Sequence, residues 1–272
     1  MVEERVQKLI AHSGLCSRRQ ADELVREGRV TVNGRVAQPG DRADAAVDHV
    51  KVDGKLLSRA ETMRYLLLYK PPAVMTTCDD PEGRTTVVDL VRPVVKERVY
   101  PVGRLDYQSE GLLLLTNDGE LAARVSHPRY GVVREYLAKV RGDLDERELE
   151  ALLKGTVIDG RRVVPRSARR RFLTRGGNSW WQVEITEGRT HEVRELFFRV
   201  GHRVQRLRRT AIGPIRDDAL RPGDFRFLDE GEVDALRTAT SAGARGGRRR
   251  GHTEQGPRPE APPHPGRARR KG

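Results

Sequence analysis

Cysteine is almost missing from this chain. Cys16 and Cys78 are the only two in 272 residues and lie far apart, so neither a disulfide framework nor a cysteine zinc site is indicated. No apolar run approaches the roughly 18 residues of a membrane span. The N-terminus, Met1-Val2-Glu3-Glu4-Arg5, is acidic where a secretory leader would be basic and then apolar, so no leader is expected and the chain reads as soluble and cytoplasmic. There is no glycine-rich phosphate loop and no cluster of metal ligands. His191-Glu192 lacks a second histidine four residues on, which removes the pattern of a metal-binding helix. Cofactor and metal are therefore both expected to be absent.

Positive charge is what the chain has in excess. The formal net charge is +13, which points to a polyanionic partner, most often nucleic acid. Charge alone does not separate RNA from DNA or from a ribosome surface. The length allows two domains and a tail.

Val6, Leu9 and Ile10 share one helical face between Glu3 and Ser13, and Gly14 ends that helix. Ser17 with Gln20 has the spacing of a capping box for a second helix, striped by Ala21, Leu24 and Val25 and closed by Gly28. Arg29–Val32 alternates as a strand into Asn33-Gly34, a hairpin signal that Val50–Val52 repeats with Asp53-Gly54. A small helix-helix-hairpin domain over residues 1–60 is expected. Its basic residues Arg5, Lys8, Arg18, Arg19, Arg26 and Arg29 make either a solvated charged face or a nucleic-acid grip.

After a connector at Ser58–Met63, Tyr65–Tyr69 reads as a buried strand stopped by Lys70-Pro71-Pro72. Thr76–Thr86 reads as a loop and Val87–Val91 as a short helix or strand. Glu120–Val125 then reads as a helix, Arg134–Val140 as a strand and Asp145–Lys154 as a helix. Val157–Val164 forms a hairpin at Asp159-Gly160, and Trp180–Ile185 is a strand. Thr190 caps a helix over His191–Val200. Hairpins without regular β-α alternation predict an α+β domain with a mainly antiparallel sheet, over residues 64–236. From about Ala239 large apolar residues vanish, so 237–272 is expected to be a disordered Arg/Gly/Pro-rich tail. From Ser241 onward nine basic and two acidic residues leave +7 of the net charge. Such an arm either adds salt-sensitive affinity for a polyanion or only solubilises the chain.

The segment Gly103-Arg104-Leu105-Asp106 carries a carboxylate on a turn-like stretch, backed by the apolar run Leu112–Leu115 and broken again at Asn117-Asp118-Gly119. Loops pinned to rigid elements are common sites for catalytic groups. By spacing alone, a surface Arg–Asp pair ahead of an ordinary core strand is the better fit, since most acidic loop residues do nothing chemical. Gly103-Arg104-Leu105-Asp106, with Ser109, Gly111, the leucine run and Thr116-Asn117-Asp118-Gly119, resembles the central motif of the pseudouridine synthase family that acts on single sites in bacterial ribosomal RNA. Lys70-Pro71 with its threonine-containing loop resembles the same family's opening motif, with Ala73 standing where glycine is usual. Glu187-Gly188-Arg189-Thr190-His191-Glu192-Val193-Arg194 and Val204–Arg209 with Gly213-Pro214 resemble its later ones. Cys16–Ala21 through Gly28–Gly34 resembles the alpha-L (S4-like) RNA-binding motif.

The resemblance implies that Asp106 is the catalytic carboxylate, acting as nucleophile or base on a flipped-out uridine. Arg104 would fill the space that the base leaves, Tyr136 would stack on uracil, and Arg194 would pair with Asp106 and fix its rotamer. Arg5, Lys8, Arg18, Arg19 and Arg29 would grip RNA phosphates. Taken only as residues, Tyr136 also fits a packed strand aromatic and Arg194 a solvent-facing helical arginine. The implied substrate is large-subunit ribosomal RNA in precursor particles, handled by a monomer without a membrane partner. A small-subunit RNA synthase and a non-catalytic RNA-binding assembly factor are the alternatives.

Overall fold

The computed structural model describes residues 3–188 and 191–246. The N-terminal domain contains β1 (Glu4–Arg5), α1 (Val6–His12), α2 (Arg18–Arg26), β2 (Val30–Val32), β3 (Arg35–Val36), β4 (Arg42–Ala43), β5 (Val50–Val52) and β6 (Lys55–Leu56). Its core joins Val6, Leu9 and Ile10 of α1 to Ala21 and Val25 of α2 and to Val30, Val50 and Val52. These are the positions that the helical and alternating patterns single out. Ser17 and Gln20 cap α2 reciprocally, the Gln20 amide donating to Ser17 Oγ and the Ser17 amide to Gln20 Oε1. That arrangement satisfies donors which the first helical turn leaves unpaired.

The second domain is one mixed, nine-stranded sheet. Its elements in chain order are β7 (Tyr65–Lys70), β8 (Tyr100–Pro101), β9 (Glu110–Thr116), α3 (Gly119–Ser126), β10 (Arg134–Val140), α4 (Glu146–Lys154), β11 (Thr156–Ile158), β12 (Arg161–Val163), β13 (Ser167–Leu173), β14 (Ser179–Ile185), α5 (Glu192–Arg199), β15 (Val204–Ile212), β16 (Ile215–Arg216), β17 (Phe225–Phe227) and α6 (Glu230–Gly246). The strand order is β13-β14-β10-β15-β9-β7-β17, with β16 on β15 and β8 on β9, while β11 and β12 form a separate hairpin. Every pairing in the large sheet is antiparallel except β9 with β15. The fold is α+β with a mainly antiparallel sheet, as the pattern predicts. One face of β10, β14 and β15 packs against α4 and α5 through Tyr136, Ala138, Trp181, Val183, Leu152, Leu196 and Phe197. At the other half of the sheet, α3 and α6 cover Leu67, Leu112 and Leu114, and residues 74–99 cover Leu66, Leu68, Leu113 and Leu115. With both faces covered, β9 is buried along its whole length, which is why it reads as a continuous leucine run rather than an alternating strand.

Three local expectations change. Val87–Val91 is neither helix nor strand but consecutive turns, with the amides of Val91 and Arg92 both donating to Val88 O. The helix over His191–Val200 is Glu192–Arg199, with His191 at its N-cap in the left-handed region, φ 56. Thr190, expected to cap it, lies outside the described residues. The boundary at residue 236 cuts through α6, which continues to Gly246. Asp229 and Glu232 cap this helix reciprocally, and Val233, Leu236 and Thr240 are buried at helical spacing. A helix whose buried face passes from Val and Leu to Thr leaves little apolar signal in the sequence. The rest of the expected tail, residues 247–272, lies outside the described residues.

Candidate active site

Asp106 lies between β8 and β9, on a loop tied down from several sides. Thr76 Oγ1 donates to Leu105 O (2.6 Å), and the Ala73 amide donates to Tyr107 O (2.8 Å). Lys70, wholly buried at the end of β7, gives its ammonium protons to Pro71 O (3.0 Å), Tyr107 O (3.2 Å) and Ser109 O (2.8 Å). Burial pushes the Lys70 pKa down to about 8, an effect partly opposed by the negative charges of Asp106 and Glu110. Three acceptors for three N–H groups leave no unsatisfied donor on this cation. Ala73 sits at φ 61, in the left-handed region where the usual glycine would carry no steric cost.

Gly111 anchors the other side of the loop. It sits at φ +107, and a Cβ there would stand 2.3 Å from Arg209 O. Only glycine lets β9 and β15 approach in their parallel pairing at Gly111 and Arg209.

The carboxylate itself is 29% exposed and faces a cleft lined by Arg104, Tyr136, Arg134, His191 and Arg209 among others. Arg194 Nε is 3.5 Å from Asp106 Oδ2, and His191 Nδ1 is 3.3 Å from the same oxygen. The Ser109 hydroxyl donates weakly to Asp106 Oδ2 (3.4 Å). Arg194 is itself oriented by bonds to Val204 O (3.2 Å) and Ser109 Oγ (3.3 Å). Arg104 is exposed at the rim of the cleft. Tyr136 is buried on β10, on the face that turns toward the cleft. Arg104, Asp106 and Tyr136 thus line one cleft, and Arg194 reaches Asp106 from the adjoining cleft.

The sequence motifs assign no role to several other residues that matter there. Arg209 is buried, donating from Nε to Leu112 O (2.6 Å) and from Nη1 to Tyr136 Oη (3.5 Å), while its Nη2 finds no acceptor among the described residues. A buried donor without a partner beside a cleft is available to a ligand. Arg134 donates to the carbonyls of Thr186, Glu187, Val125 and Ser126, joining the end of α3 to the turn before α5. Burial lowers the Arg134 pKa, and the nearby positive charge of Arg209 lowers it further. Neither arginine can be told from surface charge by sequence pattern, because bulges between β10 and β15 interrupt the alternation there. His191, read as sequence, raises only a metal-helix pattern that the missing second histidine removes; the structure places it, with a left-handed backbone, against Asp106.

In the N-terminal domain, Arg5, Arg18 and Arg19 are exposed. Lys8 pairs with Glu4. Arg29 is held by Asp53 (2.7 Å) and Glu27 (3.1 Å), bonds that raise its pKa above the usual arginine range. Lys8, Arg18 and Arg19 line a groove with Arg98 and Tyr100 of the second domain, so the basic helices face the sheet domain.

A family model described as RNA pseudouridylate synthase matches residues 64–198, and an S4 domain model matches residues 4–48. An RNA pseudouridine synthase of Aquifex aeolicus is 42% identical over 240 residues, spanning 87% of this chain and 94% of the relative. A protein of Bacillus subtilis named ribosomal large subunit pseudouridine synthase B is 39% identical over 241 residues, spanning 88% and 98%. A crystal structure of pseudouridylate synthase superposes with a TM-score of 0.60 at 27% identity, covering 85% of this chain and 99% of the other. Similarity of this extent spans both the helix-helix-hairpin module and the sheet that carries the cleft, and it makes the chain a member of the RNA pseudouridine synthase family with an S4 domain at its N-terminus.

Proposed function

We propose that this chain isomerises one uridine of large-subunit ribosomal RNA to pseudouridine, with Asp106 as the reacting carboxylate. The observation that carries this reading is the position of Asp106 at the cleft mouth, with Arg194 and His191 on one of its oxygens and Tyr136 and Arg209 lining the interior. The name of the Bacillus subtilis relative supports the choice of RNA.

The reaction breaks the bond from ribose C1′ to uracil N1, turns the ring, and joins C1′ to C5. The C5 proton is lost and N1 ends protonated, so atoms and charge balance without a redox partner. The uracil must leave the helical stack to be reached. Asp106 then either attacks as a nucleophile or removes a ribose proton as a base. Arg194 fixes its rotamer, Tyr136 stacks on the ring, and the open Nη2 of Arg209 donates to a uracil carbonyl. Arg104 occupies the vacated space in the RNA. Arg5, Lys8, Arg18, Arg19 and Arg29 of the first domain hold phosphates, contacts that position the RNA without reading its sequence. Arg29 does so only after exchanging its present carboxylate partners. The working unit is a monomer acting in the cytoplasm on precursor particles. Its domains run over residues 1–60 and from 64 through the end of α6.

The test is a pseudouridine map of ribosomal RNA from cells with and without the gene, complemented by wild type or by Asp106→Asn. Loss of one large-subunit site, restored only by wild type, is the expected result. Loss of a small-subunit site would move the substrate, and an unchanged map would leave an RNA-binding assembly factor.

A further inference from the structure

Over β13, β14, β10 and β15 one face of the sheet is covered by no helix among the described residues, whereas α3 and α6 cover its other half. On β10, β14 and β15, Tyr136, Trp181 and Leu207 point into the helical core, so the residues alternating with them point the other way. The strand registers place Phe172 opposite Trp180, Trp180 opposite Lys139, and Lys139 opposite Arg206, one row across four strands. A second row on the same face runs from Arg169 through Gln182 and Leu137 to Arg208. Phe172 is 52% exposed, and its ring lies 5.8 Å from that of Trp180.

An exposed Phe172 on the edge strand, against a half-buried Trp180 on the next strand, is costly in water and invites aggregation unless something uses it. Its surroundings are cationic. Arg169 and the adjacent bulge residue Arg171 are exposed and have no carboxylate partner among the described residues. Arg206 pairs with Glu110 (2.7 Å), yet its side chain stays 56% exposed. The acidic side chains of this face, Glu135 and Glu184, lie at its far end, where Glu135 is held by Arg216 (2.8 Å) and Glu184 approaches Arg166 at 3.9 Å.

Arg206 also lines a cleft with Asp106, His191 and Arg194. The row thus starts beside the reacting carboxylate and ends at Phe172, about 14 Å away as three inter-strand spacings of ~4.8 Å. We infer that this face is a binding platform for single-stranded RNA, holding nucleotides that flank the target uridine. Trp180 and Phe172 stack a base while Lys139, Arg169 and Arg206 take phosphates. Open antiparallel sheets with aromatics amid cations bind single strands in this way, and bases inside a duplex have no exposed face to offer. The inference rests on the RNA-modifying role proposed above.

It is tested with the full chain and a labelled, uridine-containing single-stranded oligoribonucleotide, with a duplex of the same sequence as comparator. Phe172→Ala combined with Trp180→Ala should weaken single-strand binding about tenfold or more, with a much smaller change for duplex. Trp180→Phe, which keeps a stacking surface, should recover most of the loss, and a melting curve on each variant separates this effect from unfolding. Single-strand affinity unchanged in the double alanine variant, or an equal loss for duplex, would overturn the proposal. Because binding is read without turnover, a platform that binds in a protein that modifies no ribosomal RNA would sink the proposed reaction alone.

Discussion

Asp106 shares one oxygen with two cationic or polar neighbours, and its loop is clamped to Lys70 and Thr76. Asp106→Asn keeps the shape but removes both the nucleophile and the base. Activity should fall by roughly 10²–10⁴-fold or more, while RNA affinity and the melting midpoint stay near wild type in binding and thermal assays. Arg194→Lys keeps the charge but loses the three-point anchoring of a guanidinium. A drop of about 10²-fold in kcat with little change in RNA affinity is expected from single-turnover kinetics. Lys70 supplies a pH signature. Its folded pKa of about 8 lies below the unfolded value, so between roughly pH 8 and 10.5 the unfolded chain holds a proton that the folded chain has shed. Stability should therefore rise with pH across that window, by up to about 1.4 kcal/mol per unit. Denaturant titrations at several pH values should show this increment in wild type and not in Lys70→Met.

At the scale of elements, the parallel contact between β9 and β15 decides whether the cleft exists. It brings Arg209 under Tyr136 and sets the leucine strand behind the Asp106 loop. Gly111→Ala would drive a Cβ into the Arg209 backbone and should cost roughly 3 kcal/mol or more in chemical denaturation. Ala73 offers the reverse case. Its left-handed φ means that Ala73→Gly should leave stability within about 1 kcal/mol of wild type. The element least legible in the sequence is α6, since its signature is a cap and a few small buried residues. β13 is nearly as silent, because five exposed residues follow Ala168 on it and edge strands lack a hydrophobic alternation.

For the whole molecule, the excess positive charge is distributed between an N-terminal module, the groove beneath it, the open sheet face and the C-terminal residues. Truncation after Gly246 leaves α6 whole and removes eight basic and two acidic residues. Affinity for ribosomal RNA should fall and the slope of log K against log salt should flatten, by ~0.7 for every single-strand phosphate that the shortened chain no longer neutralises. Titrations at several salt concentrations give both quantities.

Through the family resemblance the sequence singled out Asp106, Tyr136 and Arg194 as candidates, and by itself it determined the helix-helix-hairpin module, the buried leucine strand and the α+β class. Local chemistry specifies these: capping residues, turn glycines, hydrophobic period and contiguous motifs all act within a few residues of one another. Only the tertiary structure decided that Lys70 clamps the Asp106 loop, that Arg134 and Arg209 are buried cations rather than surface charge, and that half of one sheet face stays open. Those outcomes depend on which strands become neighbours across separations such as 97 residues between Arg209 and Leu112. Burial of a charged side chain is a property of that pairing and leaves no mark on the local pattern.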